Sequence, residues 1–248
     1  MKMHVTPLGE GIRSISAVIR TVPIPPKAST DEPPPPAPVL PFITLSRQPY
    51  AGAWTLAQQL VDALNLSDPG ERPWTCWDRE LVEKVAADHH LSRELVESIE
   101  GEHYSWITDF LSSLSFADSS PITNEAKVYE GVATTIRTLA KTGRVVIVGR
   151  GGVFLTRRMV GGIHIRLIAS AENRVAFLAQ KLNMSHELAA ARLRQLERNR
   201  MGFYKRYWPG ESLNLDVFAA TLNTGVLDTP TMIQIIQALV RQRVMAGR

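Results

Sequence analysis

The sequence predicts an α/β fold built on a parallel, doubly wound sheet, and three observations carry that prediction. Short apolar runs alternate with longer segments of helical periodicity from Phe42 almost to the end of the chain. One run, Val145-Val146-Ile147-Val148, is unbroken and β-branched, as suits a parallel strand covered on both faces. Two segments without apolar periodicity, 46–55 and 149–152, directly follow strand-like runs, where an open α/β sheet places its ligands.

The elements follow in order. Residues 21–41 carry Pro33, Pro34, Pro35 and Pro36 in a row. Proline lacks the amide hydrogen and fixes φ, so this stretch favours extended polyproline II. It reads as a linker at the end of a tail over 1–40, in which Ile12, Ile15, Val18 and Ile19 share a helical face. The globular domain is expected over 41–248. A first strand is predicted at 42–45, ending in Ser46-Arg47, and Leu56, Leu60, Val61 and Leu64 predict a helix over 54–64. Residues 75–77 read as a second strand, with Asp78 capping a helix that holds Leu81, Val82 and Val85. Another helix opens after Ser92, and the aromatics Tyr104, Trp106, Phe110 and Phe116 suggest a packed helix and a loop over 101–122. A long helix is predicted over 124–141, closed by Gly143. Strands at 144–149 and 163–169, helices at 171–182 and 185–207, a last strand at 217–222 and a helix over 229–243 complete the pattern.

Composition limits the function classes. The chain has 248 residues, 44% hydrophobic and 21% charged, which is ordinary for a domain with a core. The net charge of +4 leans toward anionic partners without separating nucleotides from nucleic acid. The single cysteine, Cys76, excludes an internal disulfide framework and fits a reducing compartment, so a cytoplasmic location is expected. No stretch reaches the roughly 20 apolar residues that span a bilayer, so no membrane partner is expected.

Four segments at strand ends are the candidate sites. Ser46 to Thr55 joins a strand to a helix, where backbone amides and the helix dipole can create an anion site, although on these ten residues alone an ordinary βα turn is the better reading. A full phosphate-loop motif needs glycines, then Lys and Ser/Thr. Here only Gly52 remains, Ala53 stands at the lysine position, Trp54 follows, and Thr55 is the nearest hydroxyl. Asp78, Arg79 and Glu80 fit a substrate contact and a capped helix start equally well. Gly149, Arg150, Gly151 and Gly152 follow the most buried strand, so an arginine there points into the crevice where phosphates gather. The basic helix carries Arg192, Arg194, Arg198 and Arg200, then Tyr204, Lys205 and Arg206, cations of the kind a mobile lid supplies in phosphoryl transfer, although taken alone it reads better as a solvated face or a nucleic-acid contact.

Taken together, ITLSRQ, WDRELVEKVA, VVIVGRGG, SHELAAARLRQLERNRMGFYKRYW and LNTGVLDTP resemble the cytidylate-kinase-like family of P-loop nucleoside-monophosphate kinases, over residues 42–239. The resemblance implies a P-loop NTPase-type sheet of about five parallel strands flanked by helices, with a helical lid. It implies ATP and Mg2+ as cofactors and a nucleotide as substrate. Through Ser46, Arg47, Gly52, Ala53, Trp54 and Thr55 it implies donor binding, with Thr55 facing the metal. Asp78, Arg79, Gly149, Gly151, Arg200 and Tyr204 would hold the substrate, and Arg150, Arg194 and Arg198 would serve catalysis. Against the family pattern S-R-x-x-G-S-G-G, Tyr50 and Ala53 replace glycines, and the phenol of Tyr50 is expected to obstruct the loop. The last strand carries Ala219 where an Asp is usual. Those departures raise the alternative of a weak or inactive kinase fold that senses nucleotides or binds partners. Nucleic-acid binding through the basic helix ranks last.

Overall fold

Hydrogen bonds run along both edges of Phe42–Arg47 (β1): Ile43 to Leu45 pair with Val146 to Val148, and Phe42 to Arg47 pair with Gly162 to Leu167. Five strands form one all-parallel sheet. The others are Thr75–Trp77 (β2), Val145–Val148 (β3), Gly162–Ile168 (β4) and Ala220–Asn223 (β5), in the order β2-β3-β1-β4-β5. The helices are Ala53–Ser67 (α1), Pro121–Thr142 (α2), Gly152–Thr156 (α3), Ala171–Leu182 (α4), His186–Tyr207 (α5) and Thr229–Ala246 (α6). The structure is a computed structural model and describes residues 40–70, 72–78, 121–149, 151–208 and 215–246. The chain divides into two compact units. Val39–Arg79 with Gly143–Arg248 holds the sheet, and α2 belongs to the other.

Alternation along the strands explains how the sheet is covered. Ile43, Leu45, Val146, Val148, Ile163, Ile165 and Leu167 point to one face. There they meet Leu56, Leu60 and Leu64 of α1 and Met232, Ile236 and Val240 of α6. The i, i+4 spacing of both helical sets is what places each stripe on the sheet. On the opposite face, Thr44 and Ile147 lie in van der Waals reach of Gly152 at the start of α3.

The end of α1 is tied to the sheet by polar contacts. The buried Arg144 donates through Nε to the Arg72 carbonyl at 2.6 Å and through Nη1 to Asp68 Oδ2 at 2.8 Å. Asp68 Oδ2 also accepts from Trp74 Nε1 at 3.1 Å, and the guanidinium lies 5.6 Å from the Trp74 ring. Removing the half-exposed Asp68 carboxylate would leave the buried Arg144 without its charge partner, so this knot fixes β2 beside β3.

The sequence-derived elements are met with small shifts. β1 continues through Ser46 and Arg47 because these still pair with β4. Gly143 has φ +66, the left-handed value a helix-ending glycine adopts. The last strand begins at Ala220 rather than 217, because Leu215–Val217 forms a 3-10 turn. α3 is not predicted, since five residues are too few to show a period. The expected tail, linker and helices within 1–39 and 79–120 lie outside the described residues.

One buried titratable group in this sheet has a measurable consequence. His164 Nδ1 and Thr44 Oγ1 are hydrogen-bonded at 2.8 Å between β4 and β1. Burial, then the charge of Arg243, lowers the imidazole pKa from its ordinary 6.5 to about 4. As pH falls, the unfolded chain takes up this proton before the folded one. The contribution is therefore complete above pH 6.5 and is lost as pH falls toward 4. Urea midpoints measured across that window should fall with pH. His164→Asn, which keeps a polar partner for Thr44, is expected to flatten the slope.

Candidate functional site

The phosphate loop is the five-residue link from Gln48 to Gly52, between β1 and α1. Gln48 anchors it: its amide donates to the Leu167 carbonyl at 3.0 Å, and its Oε1 accepts from Ala169 N at 3.0 Å. A turn follows, closed by Ala51 N to Gln48 O at 3.2 Å. Gly52 has φ +69, and α1 begins with no side chain capping it. An uncapped helix start directs free amides and the positive end of the dipole at the solvent, which suits an anion. A Cβ built on Gly52 would meet nothing within 4 Å, so the space over the loop is open.

Tyr50 departs from expectation. It stands at a position where the family pattern has glycine, and it keeps a glycine-like φ of +62. Its ring turns off the loop and joins a small apolar cluster with Val175, Leu178, Ala189 and Leu193 of α4 and α5. Phe177 lies 6.3 Å away, centroid to centroid. The phenol thus ties the α4–α5 hairpin to the loop instead of covering the amides. The strain of a non-glycine left-handed residue is about 1–2 kcal/mol, which the packing of the partly buried ring offsets.

Ser46 is buried at the end of β1 and lines a cavity of about 10 Å³ with Thr44, Gly149, Gly152 and Tyr204. Ala53 is only 4% exposed and lies in the main core, so it presents its amide and not its side chain. Trp54 and Thr55 are exposed in the first turn of α1. Arg47 does not reach over the loop. Its guanidinium occupies the space a Cβ on Gly149 would need, which together with φ +81 requires glycine there. Asp78 follows β2 and, with Arg47, acts electrostatically on Cys76. Burial and then the Asp78 carboxylate push that thiol up to about 12 against the pull of Arg47, so it stays protonated and unreactive. Arg79 and Arg150 lie outside the described residues.

The crevice after β3 is closed from above. Trp208, at the end of α5, lies where a side chain on Gly151 would stand. It stacks on Phe154 at 4.7 Å, and Tyr204 meets Phe154 at 5.5 Å. The end of α5 is therefore seated on the glycine turn.

The basic helix sorts its arginines onto two faces. Arg198 and Arg200 are about 200° apart around the axis, so they cannot share one. Arg194 and Arg198 are exposed, and Arg198 donates to Gln195 on its own helix. The structure does not bring these two into the crevice. Arg200 falls on the inner face with Leu193 and Tyr204, and its Nη1 is buried without a hydrogen-bond partner. Burial lowers its pKa, Tyr204 opposes that, the guanidinium of Arg166 lowers it further, and the Glu197 carboxylate raises it. Arg174, also acting on Arg200, donates to the Ala169 carbonyl at 3.1 Å and to Glu197 at 2.6 Å. Ala169 is thus shared by Arg174 and the loop's Gln48, which sets the arginine cluster beside the loop. Arg166, Arg174, Gln48 and Trp208 were missed in the sequence. Arg166 had the one available signal, a cation inside an apolar strand.

A guanidinium with one buried nitrogen unbonded, beside two more guanidiniums, is a candidate anion site. Among the described residues no three His, Cys, Asp or Glu side chains gather as a metal site. None of the described helices is long and apolar enough to cross a membrane.

Sheet order, loop position and helical hairpin together define a P-loop kinase-type fold. The sequence pattern of the cytidylate kinase-like family matches residues 42–226, and the chain belongs to that family. Among solved structures it is similar to an uncharacterized protein from Eubacterium ventriosum, at 15% identity and TM-score 0.58. That match covers 82% of this chain and 98% of the other. A shikimate kinase from Bacteroides thetaiotaomicron matches at 15% identity and TM-score 0.45, over 81% and 98% of the two chains. A shikimate kinase from Acinetobacter baumannii in complex with shikimate matches at 17% and 0.43, over 83% and 95%. No curated protein matches the sequence.

The role of Tyr50 can be measured directly. Tyr50→Gly relieves the backbone strain but gives up the ring's burial, so a net loss of about 1 kcal/mol is expected. Amide exchange should quicken in α4 and α5 more than in β1. Tyr50→Phe should leave both unchanged.

Proposed function

We propose that the protein is a phosphotransferase of the nucleoside-monophosphate kinase type. It would move a phosphoryl group from ATP to a nucleoside monophosphate, CMP among the candidates, or to a similar small acceptor. The observation that carries the reading is the buried, partnerless Nη1 of Arg200 beside Arg166 and Arg174. An oxyanion of phosphate is what such a cluster lacks.

On this reading the amides of Ala53, Trp54 and Thr55 hold the donor phosphates at the start of α1, and the Thr55 hydroxyl faces the metal. When bound, ATP supplies the phosphoryl group and Mg2+ neutralises charge on its oxygens. Arg150 would stand in for the missing lysine, because Arg47 is turned against Gly149. Asp78 and Arg79 hold the acceptor, and the backbone at Gly149 and Gly151 lets it approach closely. Arg200 and Arg166 neutralise the transferring group, while Tyr204 and Trp208 exclude water when α5 is seated. Arg194 and Arg198 contribute only their field from outside. The domain over 41–248 carries the activity, in a cytoplasmic setting where ATP is abundant.

A second reading has its own support. Ala53 is built into the core and Trp208 is seated on Gly151. Both suit a protein that binds nucleotide with little or no turnover.

Incubation with ATP, Mg2+ and a panel of nucleoside monophosphates tests the choice. The first reading expects transfer to at least one acceptor. Saturable ATP binding without transfer to any acceptor selects the second, and no binding at all removes both. Arg200→Met should lower kcat/KM about 100-fold, because a transition-state charge contact is lost. The same variant should raise the urea midpoint, since it removes a buried unsatisfied cation. A structural arginine would show the opposite sign of stability change.

A further inference from the structure

Among the described residues, the charged side chains that act on Arg200 are Arg166, Arg174 and Glu197, two cations and one carboxylate. Glu197 stands one turn before Arg200 on α5, at i and i+3, so the two share a face. Its Oε1 nevertheless accepts from Arg174 Nη1 of α4 at 2.6 Å, while Arg200 Nη1 is left buried without a hydrogen bond. Arg174 is itself fixed beside the phosphate loop. Its Nε donates to the carbonyl of Ala169, the residue whose amide donates to Gln48 of the loop.

A buried guanidinium needs a counter-charge, and that accounts for the pair taken alone: the Arg174 side chain is 6% exposed and that of Glu197 41%. It does not account for how the carboxylate is divided. A carboxylate has acceptor sites for more than one guanidinium, yet this one bonds the arginine across the hairpin and leaves the deficit on its own helix. The strength with which a phosphate is gripped depends on how many guanidiniums turn to it, and Glu197 holds one of the three.

We propose that Glu197 is a positioning residue that withholds Arg174 from the bound phosphate and so sets how tightly the arginine cluster grips it. The inference rests on the reading of that cluster as a phosphate site. The carboxylate competes with phosphate for Arg174 Nη1, and the ligand is left to Arg200 and Arg166. A third guanidinium would hold substrate and product more tightly alike. Uniform binding of that kind lowers KM without raising kcat, and it slows the release of product.

Calorimetric titration of the full-length protein with pyrophosphate tests it. Glu197→Gln keeps the shape and loses the charge, whereas Glu197→Asp keeps the charge and loses the reach to Arg174. Both should bind pyrophosphate about tenfold more tightly than the unaltered protein. Asp62→Asn, an equal change of charge at an exposed position of α1, should leave binding as it was. In the transfer reaction Glu197→Gln should lower the KM for ATP and kcat together, a split that a merely structural loss would not produce. Unchanged or weaker binding in either Glu197 variant would overturn the proposal, as would equal tightening in Asp62→Asn or no pyrophosphate binding by any of the proteins. The expected binding without transfer to any acceptor would remove the phosphotransferase reading and leave this one standing.

Discussion

β1 is hydrogen-bonded on both edges, and the place where that pairing ends decides where chemistry can occur. Ser46 and Arg47 still pair with Arg166 and Leu167 of β4, but β3 stops two residues earlier, at Val148 against Leu45. Gln48 extends that ladder by one bond, its amide donating to the Leu167 carbonyl of β4. Beyond it the chain leaves the sheet through Pro49, which has no amide hydrogen, and the Ala51 amide closes a turn on Gln48. The left-handed residues Tyr50 and Gly52 then turn the backbone into the uncapped start of α1. A parallel sheet pushes every strand's helix start toward the same edge, so the candidate anion site there is a result of topology before it is a result of motif.

That constraint also explains how a loop can lose glycines without losing its path. The backbone needs a positive φ at position 50, and the residue there must meet the cost by other means. Tyrosine meets it by packing its partly buried ring against the cluster formed by α4 and α5. The same contact joins the loop to the hairpin that carries Arg200. A substitution that looks like decay in the motif is therefore a coupling between loop and lid in the fold.

The sequence made the sheet legible because its strands are short, apolar and separated by helices with clean i, i+4 stripes. Leu56, Leu60 and Leu64 could be placed on the sheet from spacing alone, and they are buried there. The lid arginines were harder. Spacing shows that Arg194 and Arg198 share a face and that Arg200 does not, but it does not show which face turns inward. That depends on which side carries Leu193 into the α4 contact. Arg174 and Trp208 were invisible for a different reason. Each acts through a partner far away in the chain, Glu197 for one and Gly151 for the other. A glycine in sequence reads as a flexible turn or a phosphate contact, and only the packed structure reveals that a tryptophan lies on it.

The seated lid carries a cost that clarifies the whole arrangement. Packing Trp208 and Tyr204 against Phe154 buries aromatic surface, and the Tyr50 cluster adds more. Against this, the position of α5 holds Arg200 beside Arg166 and Arg174 and leaves one of its nitrogens buried and unbonded. On the proposed function the aromatic contacts would hold α5 in place whether or not an anion is present, whereas the guanidinium cluster would be relieved only by an anion. A bound phosphate would then turn an unfavourable contact of the seated helix into a favourable one, and the helix position would respond to ligand charge.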